Sequence, residues 1–415
     1  MDQQTANALF EKGALLLFLD APPNMEFGVD CYSWVTGPKF KGLKLIPPGL
    51  HFIYYSAHNK HGDTAAVRTG FWRRFEAGQV VVKRWNNADE DVFPDEGLNA
   101  ETEARFKSNY REFDRFLGAY PLVPQDNDPI SPYQKWLSLI THVTTATVKK
   151  VLPPSGKISA MTSVSRYSDV QDSRSDFKSR GGTHAMDVDP EERAVNATGD
   201  ARAAKDVEPS LQKMTKGDLG ASNIEQLFLN FTPVDLKRSF PPGATGAELT
   251  KYSRDKSYLL KQLLTHEYKD YRELLGELQL SFLIFLLGEV YDGYEHWKTL
   301  IHLLCQSEEA IVEYGETLYS DFIETLQAQL NAHPSDFFVD ALSADNFIRH
   351  NILQLTRSIH DLDATQVSPQ LGQKLDALVE FVREKFLWDI KEELRAQTDE
   401  EEDEEGEFAP TVVGL

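Results

Sequence analysis

The sequence predicts an α+β protein of two domains, β-rich at the N-terminus and all-helical at the C-terminus. Three observations predict it. Between Ala14 and Trp85 the chain is dense in aromatic and β-branched residues, cut by Pro, Gly and Asn clusters, which is the texture of short strands. From Thr245 to Ile390 apolar residues recur at helical spacing. Between these regions, Pro153 to about Ser222 loses its aromatics and its apolar period, so it cannot bury enough surface to offset its ordering entropy. The resulting divisions are a β-rich domain over 1–151, a disordered linker over 152–222, a helical domain over 223–395 and an acidic flexible tail over 396–415.

Taken in order, the strand segments are Ala14–Leu19, Gly49–Tyr55, Val67–Phe75 and Gln79–Trp85, separated by breaks such as Pro22-Pro23-Asn24 and Pro47-Pro48-Gly49. Such spacing points to antiparallel β structure, a small sandwich or barrel. Helices close it. Glu101–Leu117 sets Phe106, Tyr110, Phe113 and Leu117 on one face. Ser131-Pro132 reads as an N-cap followed by proline at the first helical position, opening a helix through Trp136, Leu139, Ile140 and Val143.

After the linker, Ile224–Phe231 reads as one more extended piece returning to the N-terminal sheet. Thr245-Gly-Ala-Glu248 has the form of a capping box. Leu274–Cys305 organises the helical region. Its first half is apolar on every side, so it must be surrounded by protein or lipid. A membrane span needs about 20 apolar residues, and Glu277, Gln279 and Glu289 cut this run short. Gly288 marks a break before a second helix carrying Tyr294, Trp297, Leu300, Ile301 and Leu304. Later stripes are Ile311, Leu318, Phe322 and Leu326, then Phe337, Phe338 and Leu342 after Pro334, then Phe347, Leu353 and Leu355. Ser368-Pro369 opens the last core helix, with Leu371, Leu375, Leu378 and Val382 inward. Two independently buried cores joined by a tether are therefore expected.

Charge and cysteine content narrow the function. In 415 residues, 43 Lys and Arg stand against 65 Asp and Glu, a formal net charge of −22. Such a chain repels phosphate backbones and anionic membranes, so little direct nucleic-acid binding and no membrane association are expected. The cysteines, Cys31 and Cys305, lie among aromatic and apolar neighbours and read as buried reduced thiols. No basic n-region precedes the short apolar run Ala14–Leu19, and no signal peptide is expected.

Candidate chemistry is sparse. No Gly-rich phosphate loop, nucleophile elbow or HExxH occurs. Ser253-Arg-Asp-Lys256 has serine–lysine spacing without companion motifs. Glu289, Asp292 and His296 fall near one helical face, as part of a metal site or as ordinary helix surface. His51, His58 and His61 show no ligand spacing. No catalytic residue, cofactor or metal is assigned. Ser163, Ser165, Ser173 and Ser175 lie near Arg166 and Arg174, either as kinase substrates or as incidental serines in a spacer. At the C-terminus, Asp399–Glu405 is an acidic run expected to be solvated and unstructured, followed by the β-prone FAPTVVGL of Phe408–Leu415. Through Phe408, Val412 and Val413 that end can add a strand to a partner's sheet edge, or it is a frayed terminus.

Several longer stretches resemble a known family. Glu26–Phe52, EFGVDCYSWVTGPKFKGLKLIPPGLHF, is similar to the N-terminal signature of the Aar-two splicing factor family. Leu274–Gly288, Tyr294–Ala310 and Ser335–Phe347 resemble its helical domain. The resemblance implies a VHS-like helical domain and no catalysis. It implies an assembly factor of the U-five small nuclear ribonucleoprotein that holds the scaffold protein Prp-eight through its RNase H-like and Jab/MPN-like domains, in mutual exclusion with the Brr-two helicase. It also implies that Phe408–Val413 form the partner-bound strand and that phosphorylation releases the complex.

The function expected is therefore a non-enzymatic assembly chaperone in pre-mRNA splicing, cytoplasmic and nuclear. The alternative is a generic adaptor whose helical domain binds peptide or protein cargo.

Overall fold

The computed structural model describes residues 12–56, 67–93, 100–124, 130–164, 228–333, 347–363 and 366–405. Its N-terminal half is a sandwich of two five-stranded sheets. One sheet orders β8 (Asp91–Val92), β7 (Val80–Asn86), β1 (Ala14–Leu19), β4 (Gly42–Ile46) and β9 (Leu117–Ala119). The other orders β10 (Lys157–Ser159), β6 (Thr69–Phe75), β5 (Gly49–Ser56), β2 (Glu26–Val29) and β3 (Tyr32–Val35).

Strand β1 shows why the sequence folds this way. Side chains alternate across a strand. Leu16 and Phe18 face Phe27, Ile53, Tyr55 and Phe75 of the other sheet, forming the sandwich interior. Leu15, Leu17 and Leu19 face outward, where Phe106, Tyr110 and Phe113 cover them. Those rings come from α1 (Ala100–Ser108) and the 3₁₀ turn Tyr110–Phe116, so the expected stripe through Phe106 and Leu117 is found. With both faces covered, all six residues ALLLFL are buried.

The antiparallel expectation needs correction. Strand β1 runs parallel to β7, and β4 runs parallel to β9. The short strands β2 (EFGV), β3 (YSWV) and β4 (GLKLI) show no clear period. At Gly28, on β2, a Cβ would lie 2.1 Å from the Tyr54 ring of the neighbouring strand. The glycine is the seat for that aromatic ring.

The outer face of the second sheet is not solvated. Leu50, Phe52 and Tyr54 from β5, with Ile158 from β10, belong to the same buried cluster as the helical half. The bridging elements are α2 (Pro132–Leu139) and α3 (Thr145–Val151). Ser131 caps α2 as its sequence predicts: its Oγ accepts from Gln134 N–H, and Gln134 Oε1 accepts from Ser131 N–H. Trp136 on α2 is fully buried, and its Nε1 donates to Leu50 O at 2.9 Å. Against the two independent cores expected from the sequence, the helical half does not bury its core independently: that cluster runs from the outer face of β5 to the last helices, beside the separate sandwich interior.

The helical half comprises α4 (Gly246–Arg254), α5 (Ser257–His266), α6 (Tyr271–Leu286), α7 (Tyr291–Cys305), α8 (Glu308–Tyr314), α9 (Ser320–Ala332), α10 (Phe347–His360), α11 (Pro369–Phe386) and α12 (Ile390–Glu405), with a π turn at Gly315–Tyr319. The largely buried α6 is the hub, packed against α7, α9 and α3. It ends where predicted, at Leu286–Gly288, and Glu289 takes a left-handed φ of 57° to start α7. At Gly276 a Cβ would lie 2.5 Å from His142 O, so only glycine lets the segment before α3 approach this closely.

Three further expectations change. Within the stretch 152–222 assigned to a linker, Lys157–Ser159 pairs antiparallel with β6, and β11 (Ser163–Val164) pairs parallel with β12 (Phe228–Leu229). Of the extended piece expected at 224–231, the described Phe228–Leu229 meets β11 in a separate two-stranded sheet, not the N-terminal sandwich. The acidic run Asp399–Glu405 continues helix α12. Cys31, expected to be buried, is exposed, whereas Cys305 is buried as expected; both are free thiols. The stripe Phe337, Phe338 and Leu342 lies outside the described residues.

A continuous core makes one cooperative unit. Replacing Trp136 by Ala removes a buried indole and its hydrogen bond, an expected cost of about 3–5 kcal/mol. Thermal melts followed by far-UV circular dichroism at helix wavelengths and by tryptophan fluorescence should shift down together. Separate transitions for helices and sheets would refute the shared core.

Candidate functional site

Two clusters of ionisable groups converge inside the fold. The first is built on the tight turn between β2 and β3, where Asp30 takes φ 53°. Its Oδ2 accepts from Tyr120 Oη at 2.7 Å and lies 2.7 Å from His51 Nδ1; its Oδ1 accepts from Phe52 N–H at 3.0 Å. His51 Nε2 lies 2.9 Å from Pro47 O. A carbonyl only accepts, so Nε2 carries a hydrogen there. Burial and the adjacent Asp30 carboxylate push the Tyr120 hydroxyl pKa well up. Aspartate beside histidine is the orienting pair of many hydrolases. Here both ring nitrogens are occupied and His51 is 0% exposed, so no nitrogen is left to activate a nucleophile.

The second cluster surrounds Glu277, the carboxylate in the middle of α6. Its Oε1 accepts from Thr232 N–H at 2.7 Å and lies 2.9 Å from His296 Nε2. Its Oε2 accepts from Thr232 Oγ1 at 2.8 Å and Lys150 Nζ at 3.1 Å. Phe231 stacks on the His296 ring at 4.2 Å, and Lys150 lies over the Tyr268 ring at 4.7 Å. Burial alone would push this carboxyl up. The His296 hydrogen bond and charge, the Lys150 ammonium and the Thr232 N–H outweigh it and hold the pKa at about 2. Every lone-pair direction is used, so this group accepts no further proton donor or metal.

A third group bridges the halves at the surface. Arg68, just before β6, donates from Nη2 to Glu26 Oε1 at 2.9 Å and from Nη1 to Leu287 O at 3.2 Å. It also pairs with Glu289 Oε1 at 3.1 Å and lies over the Tyr54 ring at 4.7 Å. One guanidinium thus ties β2 and β5 to the α6–α7 turn.

The residues singled out in the sequence do not assemble into a reactive site. His296 turns to Glu277 and Glu289 turns to Arg68, so the Glu289, Asp292 and His296 trio does not converge. Among the described residues no group of three or more His, Cys, Asp or Glu is placed to hold a metal ion. Ser253 Oγ donates to Thr250 O, and Lys256 Nζ donates to Ser253 O and Ser239 Oγ, closing a helix end. His58 and His61 lie outside the described residues, as do Ser165, Ser173, Ser175, Phe408, Val412 and Val413. Ser163 lies on β11, its backbone paired with Phe228. No described helix is long and apolar enough to cross a membrane.

Sequence reasoning missed Glu277, Lys150 and Asp30. The signal for Glu277 was present, since a carboxylate inside an apolar helix needs buried partners. Exposed apolar side chains form the other distinctive feature: Val35 and Trp34 on β3 and Tyr291 at the start of α7.

Comparison with known proteins gives a consistent result. Residues 12–153 match the model of the AAR2 N-terminal domain, and residues 231–391 match the AAR2 C-terminal repeat region. The chain is similar to Protein AAR2 homolog of Macaca fascicularis, 35% identical over 95% of this chain and 94% of the relative. It is similar to Protein AAR2 homolog of Caenorhabditis elegans, 31% identical over 92% of this chain and 96% of the relative. It is also similar to the A1 cistron-splicing factor AAR2 of Saccharomyces cerevisiae, 23% identical over 96% of this chain.

The buried groups set the acid response. With Glu277 held at about 2 against an ordinary 4.5, the unfolded chain binds a proton that the fold does not, so its stabilisation is full above about pH 4.5 and is lost as pH falls toward 2. His333 caps the end of α9 and is held at about 4, against an ordinary 6.5, by burial and by Lys385. It stays neutral in the fold, and stability is lost as pH falls from 6.5 through 4. Melting temperature should therefore fall in two steps on acidification. Glu277→Gln should cost about 3–5 kcal/mol at neutral pH and abolish the lower step. A pH-independent melting temperature in wild type would contradict both assignments.

Proposed function

The chain belongs to the AAR2 family, and on that premise we propose that it acts in pre-mRNA splicing as a non-enzymatic assembly chaperone. The observation that carries this reading is that both halves match the family in order, with a relative named as a splicing factor aligned over nearly the whole chain. The partner we propose is the Prp-eight scaffold of the U-five small nuclear ribonucleoprotein, held through its RNase H-like and Jab/MPN-like domains and exchanged for the Brr-two helicase. We take the helical half as a VHS-like module and the protein as passing between cytoplasm and nucleus.

The physical chemistry agrees with a gripping role. Asp30, His51 and Glu277 spend their hydrogen-bonding capacity on internal partners, which fixes a shape. A rigid body loses less entropy on association than a mobile one. The net charge of −22 favours encounter with a basic, RNA-binding partner and disfavours binding RNA directly. In this reading Phe408, Val412 and Val413 add a strand to the scaffold. Phosphorylation at Ser163, Ser165, Ser173 or Ser175 adds charge that weakens the grip.

The test is a pull-down with purified Prp-eight RNase H-like and Jab/MPN-like domains. Full-length protein should retain them, and a chain truncated before Asp399 should retain them at least about ten-fold more weakly. Added RNA should compete. Equal binding by the truncated chain would remove the tail from the mechanism, and no binding by full-length protein would remove the proposed partner.

A further inference from the structure

The free edge of β3 lies beside the Arg68 ion-pair bridge between the two halves, and the two together present an unusual face. Register places the edge groups. In the β2–β3 hairpin Phe27 pairs with Trp34 and Glu26 with Val35, and the ladder closes on the two-residue turn Asp30-Cys31. Hydrogen-bonded and non-bonded pairs alternate in such a hairpin. Tyr32 and Trp34 therefore spend their main-chain groups on β2, and the N–H and C=O of Ser33 and Val35 point outward. Strand β3 ends its sheet.

Edge strands are normally shielded by charge, proline, a bulge or extreme shortness. Strand β3, YSWV, has no charge, no proline and an unbroken register. The other edges of the two large sheets are short or covered, and β9 has only three residues. Strand β8 has two residues, and β10 buries Ile158 against Gly288 and pairs Lys157 with Asp91. On β3, Val35 is 67% exposed and Trp34 37%.

The surroundings define what fits. Val35 shares a face with Glu26, its cross-strand partner, and Glu26 is held by Arg68. Arg68 also holds Glu289, two residues before Tyr291, which is 63% exposed. Val67, next to Arg68, is half exposed. Exposed apolar residues thus flank the Arg68 bridge on both the sandwich side and the helical side. There the Arg68 guanidinium faces two carboxylates, Glu26 and Glu289.

We propose that the β3 edge, continued by Tyr291, is a strand-addition site for an extended segment of a basic partner protein. Main-chain groups of Ser33 and Val35 pair with the added strand, its apolar side chains cover Val35 and Tyr291, and a lysine or arginine at its end meets the Glu26–Glu289 side. A second copy of this chain is a poor occupant, because each copy carries −22. This inference deepens the proposed function by assigning a contact face, and takes the scaffold domains as its first probe.

The variants are Val35→Lys, which guards the edge, and Tyr291→Ala; both sites are exposed, so melting temperature should be unchanged. Affinity for the purified Prp-eight domains should fall at least about ten-fold for each, while amide exchange at Ser33 and Val35 slows in the wild-type complex. Wild-type binding with undiminished variant binding and unprotected amides would overturn the site while sparing the proposed function. If the scaffold domains do not bind at all, a short peptide alternating Val and Thr and ending in Lys-Lys decides. Saturable binding abolished by Val35→Lys supports the edge, and no binding overturns it. A wild-type dimer dissolved by Val35→Lys would also overturn the choice of a basic strand.

Discussion

The fold depends on a carboxylate placed where a charge is most costly. Glu277 sits in the apolar hub helix α6, 1% exposed, and an unpaired ion there would destabilise the fold by several kcal/mol. Four partners offset that cost, and they come from different parts of the chain: Lys150 from α3, the main chain and hydroxyl of Thr232, and His296 from α7. A hydrophobic contact tolerates sliding, but four bonds to one carboxylate do not. The ion therefore fixes the register of α3, the 230s segment and α7 against α6. The neighbouring polar positions do the same. Gln279 Oε1 accepts from His142 N–H at 2.7 Å and its Nε2 donates to Ser138 O at 3.2 Å, while Gly276 admits the His142 carbonyl. The positions that interrupt the apolar pattern of α6 are the face that receives the N-terminal half.

That face explains why the two halves share a core. A tether alone would leave the outer side of the second sheet to solvent, yet Leu50, Phe52 and Tyr54 need cover. Helices α2 and α3 supply it from one side and present their other sides to α6 and α9. The short strands β10 to β12 extend the same logic, since Ile158 packs on Gly288 at the α6–α7 turn.

Much of this was legible in the sequence where local chemistry decides. The strands β1, β5, β6 and β7, the caps at Ser131 and Ser368, and the break after α6 each follow from a few adjacent residues. What was not legible depends on distant partners. Strands β2 to β4 are held by their neighbours more than by their own pattern. Parallel pairing of β1 with β7 is set by a crossing that no local window contains. Lys157–Ser159 looks like the start of a polar spacer and becomes a strand because β6 offers an edge. The acidic run Asp399–Glu405 follows a helix already nucleated at Ile390, and propagation needs far less than initiation. For the site, composition pointed to binding, but Asp30, Glu277 and Arg68 gain meaning only from their partners.

The distribution of hydrogen-bonding capacity bears on the gripping role proposed above. Catalysis requires a polar group held in place yet with capacity left for substrate. At His51 and Glu277 that capacity is exhausted: His51 has acceptors at both nitrogens, and the Glu277 oxygens are each bonded twice. Main-chain groups at the β3 edge keep unspent hydrogen-bonding capacity, beside apolar side chains that the fold leaves in water. Main-chain edges recognise extended backbone and apolar faces recognise apolar faces, neither of which distinguishes a small molecule. In the proposed reading such a surface would select a macromolecule by shape, register and charge, and the Arg68 bridge behind it ties the sandwich to the α6–α7 turn.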